Sequence, residues 1–399
     1  MLKADAQAGG LHRMSEHPHD NRSPNRTEPV SRSTSSDPIR RSIEVEYWVI
    51  DEDGRLTEPG DLVEAAPGVE REFTAPLLEI KTTPCETTAE LREELFSRLR
   101  SVLREAEKAN KGLVPLATPA QHGPIEDRPS ERTRVQDRVL GEQFEYVRHC
   151  AGTHIHVEQQ PGRKIDQLNT FIALDPALAL VNSSPYFRGS QLADGARSQL
   201  YRWMAYEHLP RQGRLWPYVD DNEDWARRIE RRYGEFVTRA VFAGFDRGNI
   251  EASFDPEGAV WTPVQLRERF STVEWRSPDT ALPSEIIRLA DEITDVVERL
   301  NENEVRIEGD EGRVTDDAIV LPRFDAVEEY VEASIRDGLA SEEVRSYLDR
   351  MGFDVSAFEP LSREMDTESL SVEEARELRL EYAERLKEDV QITQPMLAD

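Results

Sequence analysis

Apolar and polar positions alternate with a period of two in four short stretches: SIEVEYWVI at 42–50, LLEIKT at 77–82, GTHIHV at 152–157 and TVEWRS at 272–277. In an extended chain, residues i and i+2 share a face. Each stretch therefore predicts a strand with an apolar side (Ile43, Val45, Tyr47; Leu78, Ile80; Ile155, Val157; Val273, Trp275). The other side carries Glu44 and Glu46, Glu79 and Lys81, His154 and His156, or Glu274 and Arg276. The first strand, 42–52, ends at the turn Asp51-Glu52-Asp53-Gly54, and a second strand region, 69–83, is interrupted at Ala75-Pro76.

A period near 3.6 takes over at 88–109, where Leu91, Leu95, Leu99, Val102 and Leu103 form one stripe. Thr87 and Glu90 make its capping box, and Asn110 and Gly112 end it. The pattern then predicts a short strand at 113–117, a loop at 118–140, and a helix at 165–182 stopped by Ser183-Ser184-Pro185. Residues 186–234 read as irregular. A helix is expected to open at Thr262-Pro263, with Gln265 as its capping partner, and to lead into the strand at 271–276. After Pro283 the pattern is helical to the end, with Ser371 and Glu374 capping the last helix. Strands and helices do not alternate as βαβ units, which predicts an α+β fold with an antiparallel sheet.

Charge and composition narrow the class. The 399 residues carry 50 basic and 79 acidic side chains, a net charge of −29, and only six of the basic residues are Lys. This acidic, Arg-rich composition resembles that of extreme halophiles. At roughly 1 M salt the Debye length is only about 3 Å, so such self-repulsion is screened. The sign argues against nucleic acid or an anionic membrane as main partner. Two cysteines, Cys85 and Cys150, outside any CxxC, exclude a disulfide scaffold and read as small core residues in a reducing cytoplasm. Residues 1–41 lack apolar periodicity and are expected to form a disordered tail without a signal-peptide core, which leaves 42–399 as a single domain with a helical C-terminal region.

No GxxxxGK[ST] or GxGxxG occurs, so neither a P-loop nor a Rossmann cradle is expected. Glu44 and Glu46 read either as a solvated strand face or as a buried pair. Two like charges ~4 Å apart cost roughly 4 kcal/mol at an effective dielectric near 20, so a buried pair wants a cation, Mg²⁺ or Mn²⁺ for hard carboxylates. Glu79 is either a further ligand or an internal partner of Lys81. Glu72, at an odd spacing from Glu79, shares its face only if the chain bends at Ala75-Pro76. His154 and His156 form a shared ligand pair or two stacked histidines in a polar face. Glu274 and Arg276 offer a carboxylate for metal and a guanidinium for phosphate, or a plain salt bridge. Arg197 and Arg202 could clamp a substrate carboxylate or simply be solvated.

The order SIEVEYWVID, LLEIKTTPC, GTHIHV, NSSPYFRG, TVEWRSPDT resembles the carboxylate–amine ligase family related to glutamate–cysteine ligase, in particular its haloarchaeal members, over about residues 42–300. It departs from the family's usual wording at Ser42-Ile43 and at Ala196-Arg197-Ser198. The resemblance implies a glutamine-synthetase-like catalytic fold, a curved antiparallel sheet forming an active-site funnel packed by helices. It implies Glu44, Glu46, Glu72, Glu79, His154 and Glu274 as metal ligands. Arg276 would meet the transferring phosphate, with Glu274 and Arg276 the catalytic pair and Lys81 a second nucleotide contact. His156, Arg197 and Arg202 would bind substrate. The implied reaction is ATP-dependent joining of the γ-carboxylate of L-glutamate to the amine of L-cysteine, with Mg²⁺ or Mn²⁺. Another amine acceptor, a metal-dependent hydrolase or a non-catalytic binding protein are the alternatives.

Overall fold

The computed structural model describes residues 38–392. The segment expected to be a disordered tail lies, up to residue 37, outside the described residues. β1 (Arg41–Asp51) alternates as its sequence predicts: Ile43, Val45 and Tyr47 are buried in the core, while Glu44 and Glu46 turn to the other face. β2 (Val69–Arg71), β3 (Leu77–Lys81), β4 (Lys111–Val114) and β5 (Thr153–Glu158) follow. A small hairpin, β6 (Tyr186–Phe187) with β7 (Ser190–Gln191), precedes β8 (Val264–Arg267) and β9 (Thr272–Trp275).

The main sheet runs β2-β3-β1-β5-β9-β8, with β4 pairing the far end of β1. Every pair in it is antiparallel and the sheet stays open. Helices Thr88–Lys108, Lys164–Leu174 and Pro283–Arg299 contribute Leu91, Leu95 and Leu99, Leu168 and Phe171, and Ile286 and Ile293 to the core formed with the strands' apolar face. Each fully buried Leu, Ile or Phe contributes about 1.5–3 kcal/mol. These three helices pack on the apolar face, while on the other face Trp48 and Ile50 pack against the last helix, Val372–Ile392, beyond the carboxylates. The expected caps are present: Thr87 Oγ1 accepts the Glu90 N–H at 3.1 Å, and Ser371 Oγ accepts that of Glu374 at 3.2 Å.

Several elements differ from expectation. Residues 69–81 are not one bent strand but two antiparallel ones, with Glu70 opposite Glu79. Within the segment read as loop, Glu131–Leu140 is a helix capped by Ser130 and burying Val135, Val139 and Leu140. Within the segment read as irregular, a helix begins at Asn222 and runs to Phe242, capped by Asp221, with Trp225, Ile229, Phe236 and Val237 buried. Its five arginines mask that stripe in the sequence. The helix expected from Thr262 is the strand β8 instead, because pairing with β9 sets Gln265 opposite Glu274. The 165–182 helix passes at Asp175-Pro176 into a 3₁₀ segment, Asp175–Val181. The helical C-terminal region is interrupted by a three-stranded sheet built from Glu304–Ile307, Arg313–Val314 and Ala318–Leu321. Among the described residues, no helix is long and apolar enough to cross a membrane.

Candidate active site

Strand pairing brings the four charged edges together. Glu44 lies opposite Lys81 on one side and His154 on the other, and Glu46 lies opposite Glu79. His156 lies opposite Glu274, which in turn lies opposite Gln265. Single ligand atoms from Glu44, Glu79 and His154 fall within 4.8 Å of one another, as do those from Glu44, His156 and Glu274 and from Glu46, Glu72 and Glu79. Glu72 joins the last group because β2 and β3 fold back on each other, and its carboxylate accepts the Phe73 N–H at 3.2 Å.

The two ends of this face differ in charge balance. Around Glu274, His154 Nδ1 lies 3.6 Å and His156 Nε2 3.7 Å from Oε1, Arg276 pairs with the same oxygen, and Arg267 Nη1 stands 3.3 Å from Oε2. Burial alone would raise the Glu274 carboxyl, but the charges of Arg276, His156 and His154 hold it down at about 2. Burial also favours the protonated form of Glu44, but its hydrogen bond with His154, 3.3 Å away, and the charges of His154, His156 and Lys81 together outweigh that and lower it. Burial and the nearby Arg276 charge lower His154 to about 4, leaving a neutral imidazole near pH 7.

At the other end, burial and the neighbouring carboxylates raise Glu46 and Glu72 to about 7 and Glu79 to about 8. Lys81 Nζ, 2.8 Å from Glu79 and 3.1 Å from Glu70, offsets only part of this repulsion. Three carboxylates in mutual reach, and a buried His156 Nε2 without a hydrogen-bond partner, are the donor chemistry of a hard divalent cation site. The residues present fit such a group.

Beside the carboxylates lies a cavity of about 260 Å³. Glu46, Glu72, His154, Arg197 and Arg276 form its polar wall, and Phe73, Phe144 and Trp261 an apolar one. Arg197 donates to the carbonyls of Ser277 (3.0 Å) and Arg276 (3.1 Å), while its buried Nε has no partner. Arg202 also borders the cavity, but both its terminal nitrogens are engaged. Nη1 donates to Asp175 and Nη2 to Ser277 Oγ, each at 2.7 Å. Asp175, Arg267 and the cavity wall on the 131–140 helix are pieces that the sequence pattern did not reveal. Only Pro176, which breaks the helical run after Asp175, signalled any of them.

An open antiparallel sheet backed by helices, with carboxylates, imidazoles and guanidinia clustered on its other face, is the glutamine-synthetase-like fold that the resemblance implied. The chain belongs to glutamate–cysteine ligase family 2, whose model matches residues 41–391. The fold is shared with a bifunctional glutathione synthetase from Pasteurella multocida, at 16% identity and a TM-score of 0.51, over 88% of this chain and 53% of that one. The chain thus spans about half the length of that protein. A glutamate–cysteine ligase from Francisella tularensis in complex with AMP matches at 12% identity and a TM-score of 0.40, over 91% of this chain and 96% of that one. A glutamine synthase homologue matches at 12% and 0.37, over 87% and 70%. A comparison with curated proteins finds no match.

Proposed function

We propose that residues 42–399 are one catalytic domain of a halophilic, cytoplasmic, ATP-dependent ligase that joins the γ-carboxylate of L-glutamate to the amine of L-cysteine through γ-glutamyl phosphate. The observation that carries this reading is the array of three ligand groups on one sheet face, beside a cavity whose wall also carries Arg276, the partner of Glu274. Glu44, His154, His156 and Glu274 would hold one divalent ion, and Glu46, Glu72 and Glu79 another. Mg²⁺ or Mn²⁺, when bound, neutralises the phosphate oxygens of ATP. The rest falls to side chains. Arg276 stabilises charge on the phosphoryl group as it passes to the γ-carboxylate, Lys81 assists at the nucleotide, and Arg197 orients the amino-acid carboxylate in the cavity. The cysteine amine then attacks the acyl phosphate and phosphate leaves. ADP and γ-glutamylcysteine forming only when ATP, glutamate, cysteine and Mg²⁺ are all present in high salt is the expected result. ADP release without cysteine dependence would point to another acceptor, and turnover without ATP would point to a hydrolase.

The raised carboxyls also predict a pH signature. Glu46, Glu72 and Glu79 bind protons more tightly in the metal-free fold than at their ordinary value of 4.5. Their contribution to stability is complete below that value and is lost as pH rises through about 7 and 8. The buried His154 and His149, lowered to about 4 and 3, act in the opposite sense, but below their ordinary 6.5. A tenfold change in proton affinity is worth about 1.4 kcal/mol, so the metal-free Tm should fall by a few degrees between about pH 7 and pH 8.5. Mg²⁺ should remove most of that fall, and Glu79→Gln should flatten it. Identical slopes for wild type with and without Mg²⁺ and for the variant would refute this account.

A further inference from the structure

One apolar side chain stands at the open edge of the polar face. Phe270, at the tip of the β8–β9 hairpin, is 52% exposed. The tip is a defined turn: the Phe270 N–H donates to the Arg267 carbonyl at 3.1 Å, the Ser271 N–H to that of Glu268 at 3.3 Å, and Ser271 adopts a φ of 53°. That backbone region is uncommon for a residue other than glycine. The ring is flanked by the Arg267 and Arg269 guanidinia, 5.7 and 5.6 Å from its centroid, and the His156 imidazole meets it nearly edge-on at 6.0 Å. Two of these neighbours belong to the site. Arg267 and His156 both pair with Glu274, at 3.3 and 3.7 Å. The ring is thus tied through them to the cluster of Glu44, His156 and Glu274.

We infer that Phe270 is the stacking platform for the purine base of the nucleotide, with Arg267 and Arg269 beside it. This rests on the ATP-dependent reading above and adds where the base lies: beyond His156, at the hairpin tip, with the phosphates running back past Arg267 towards Glu274. The ring's exposed part offers a π-face that any base can cover, and the flanking guanidinia suit both a purine and an anionic phosphate. Salt strengthens the argument. At roughly 1 M salt, charge contacts beyond about 3 Å are screened, whereas stacking is not, so an aromatic contact carries a larger share of nucleotide affinity. An exposed phenylalanine that merely closes its own turn would affect folding and leave nucleotide affinity alone.

The test is calorimetric titration of the full chain with MgADP, in high salt and without amino acids. Phe270→Ala and Phe270→Leu should each weaken binding about tenfold, within the 5- to 150-fold range equivalent to stacking, and Phe270→Trp should retain wild-type affinity. Magnesium tripolyphosphate, which has no base, should bind all four proteins alike. If wild type binds MgADP and Phe270→Ala matches it within about twofold, with thermal melts showing both folded, the inference is wrong while the ATP reading stands. If Phe270→Leu matches wild type, the contact is apolar packing and the stacking role falls. If wild type binds neither MgADP nor MgATP, the ATP reading itself fails.

Discussion

Glu274→Gln is expected to lower kcat/KM for ligation by about 10²–10³-fold and to destabilise the fold as well. Glu274 is almost fully buried and, among the described residues, is the one carboxylate met by both histidines and two guanidinia. Its carboxyl, held at about 2, is ionised at any working pH. Glutamine preserves its shape and removes its charge, leaving Arg276 without its anion. Breaking a buried pair from one side costs about 3–5 kcal/mol, towards the lower end here because Arg276 keeps some solvent contact. Glu79→Gln provides the contrast. Glu79 sits at about 8, so near neutrality the metal-free fold already holds it mostly protonated. An amide imitates that state. The variant should lose ligation comparably, since it removes a proposed metal ligand, yet its metal-free stability should equal or exceed that of wild type. Initial rates of ADP formation and denaturant unfolding, both in high salt with the unfolding arm free of metal, read the two effects separately. Stability shifts of equal sign and size would rule out the charge partition across the face. A Glu274→Gln rate within tenfold of wild type would remove Glu274 from the reacting centre.

The partition itself was out of reach of the sequence, although the residues that make it were not. Alternation along a strand is a local signal, so the faces of β1, β3, β5 and β9 could be read directly from 44/46, 79/81, 154/156 and 274/276. Which residue meets which across strands depends on register. Register is what gives Glu274 its four cationic or imidazole neighbours and leaves Glu46, Glu72 and Glu79 to repel one another. Glu72 shows the same limit: its odd spacing from Glu79 is resolved by strand reversal, a tertiary event. β8 resembles a helix in sequence because Thr262-Pro263 and Gln265 imitate a helix start, and only pairing with β9 overrides that local preference. The helices at 131–140 and 222–242 were hidden by polar residues between widely spaced core positions. Arg202 could be seen in the sequence, but its partner, 27 positions away, could not be chosen from it.

That partner supports the last prediction: Asp175→Ala should cost about 3–5 kcal/mol of unfolding free energy. Asp175 is wholly buried where the 3₁₀ segment begins, and its two oxygens serve three donors. Oδ1 accepts Trp275 Nε1 at 2.8 Å and also Ser277 Oγ, and Oδ2 accepts Arg202 Nη1 at 2.7 Å. Trp275 and Ser277 bracket Arg276, and Trp275 follows Glu274, so one carboxylate anchors the strand end that presents both. Alanine would leave a buried guanidinium unpaired and the indole N–H without its acceptor. The denaturant midpoint should fall with an unchanged m-value, because the unfolded state is not altered. Replacing both partners, Asp175→Leu with Arg202→Met, should recover only the part due to the unpaired guanidinium, since Trp275 Nε1 and Ser277 Oγ still lack their acceptor. Activity in that double variant then separates two roles for Arg202. If Arg202 only positions Ser277 and the β9 end, KM for glutamate should stay near the wild-type value while kcat falls. A large rise in KM with kcat kept would restore Arg202 as a substrate clamp, and a loss below about 1 kcal/mol for Asp175→Ala would show that the anchor is not needed.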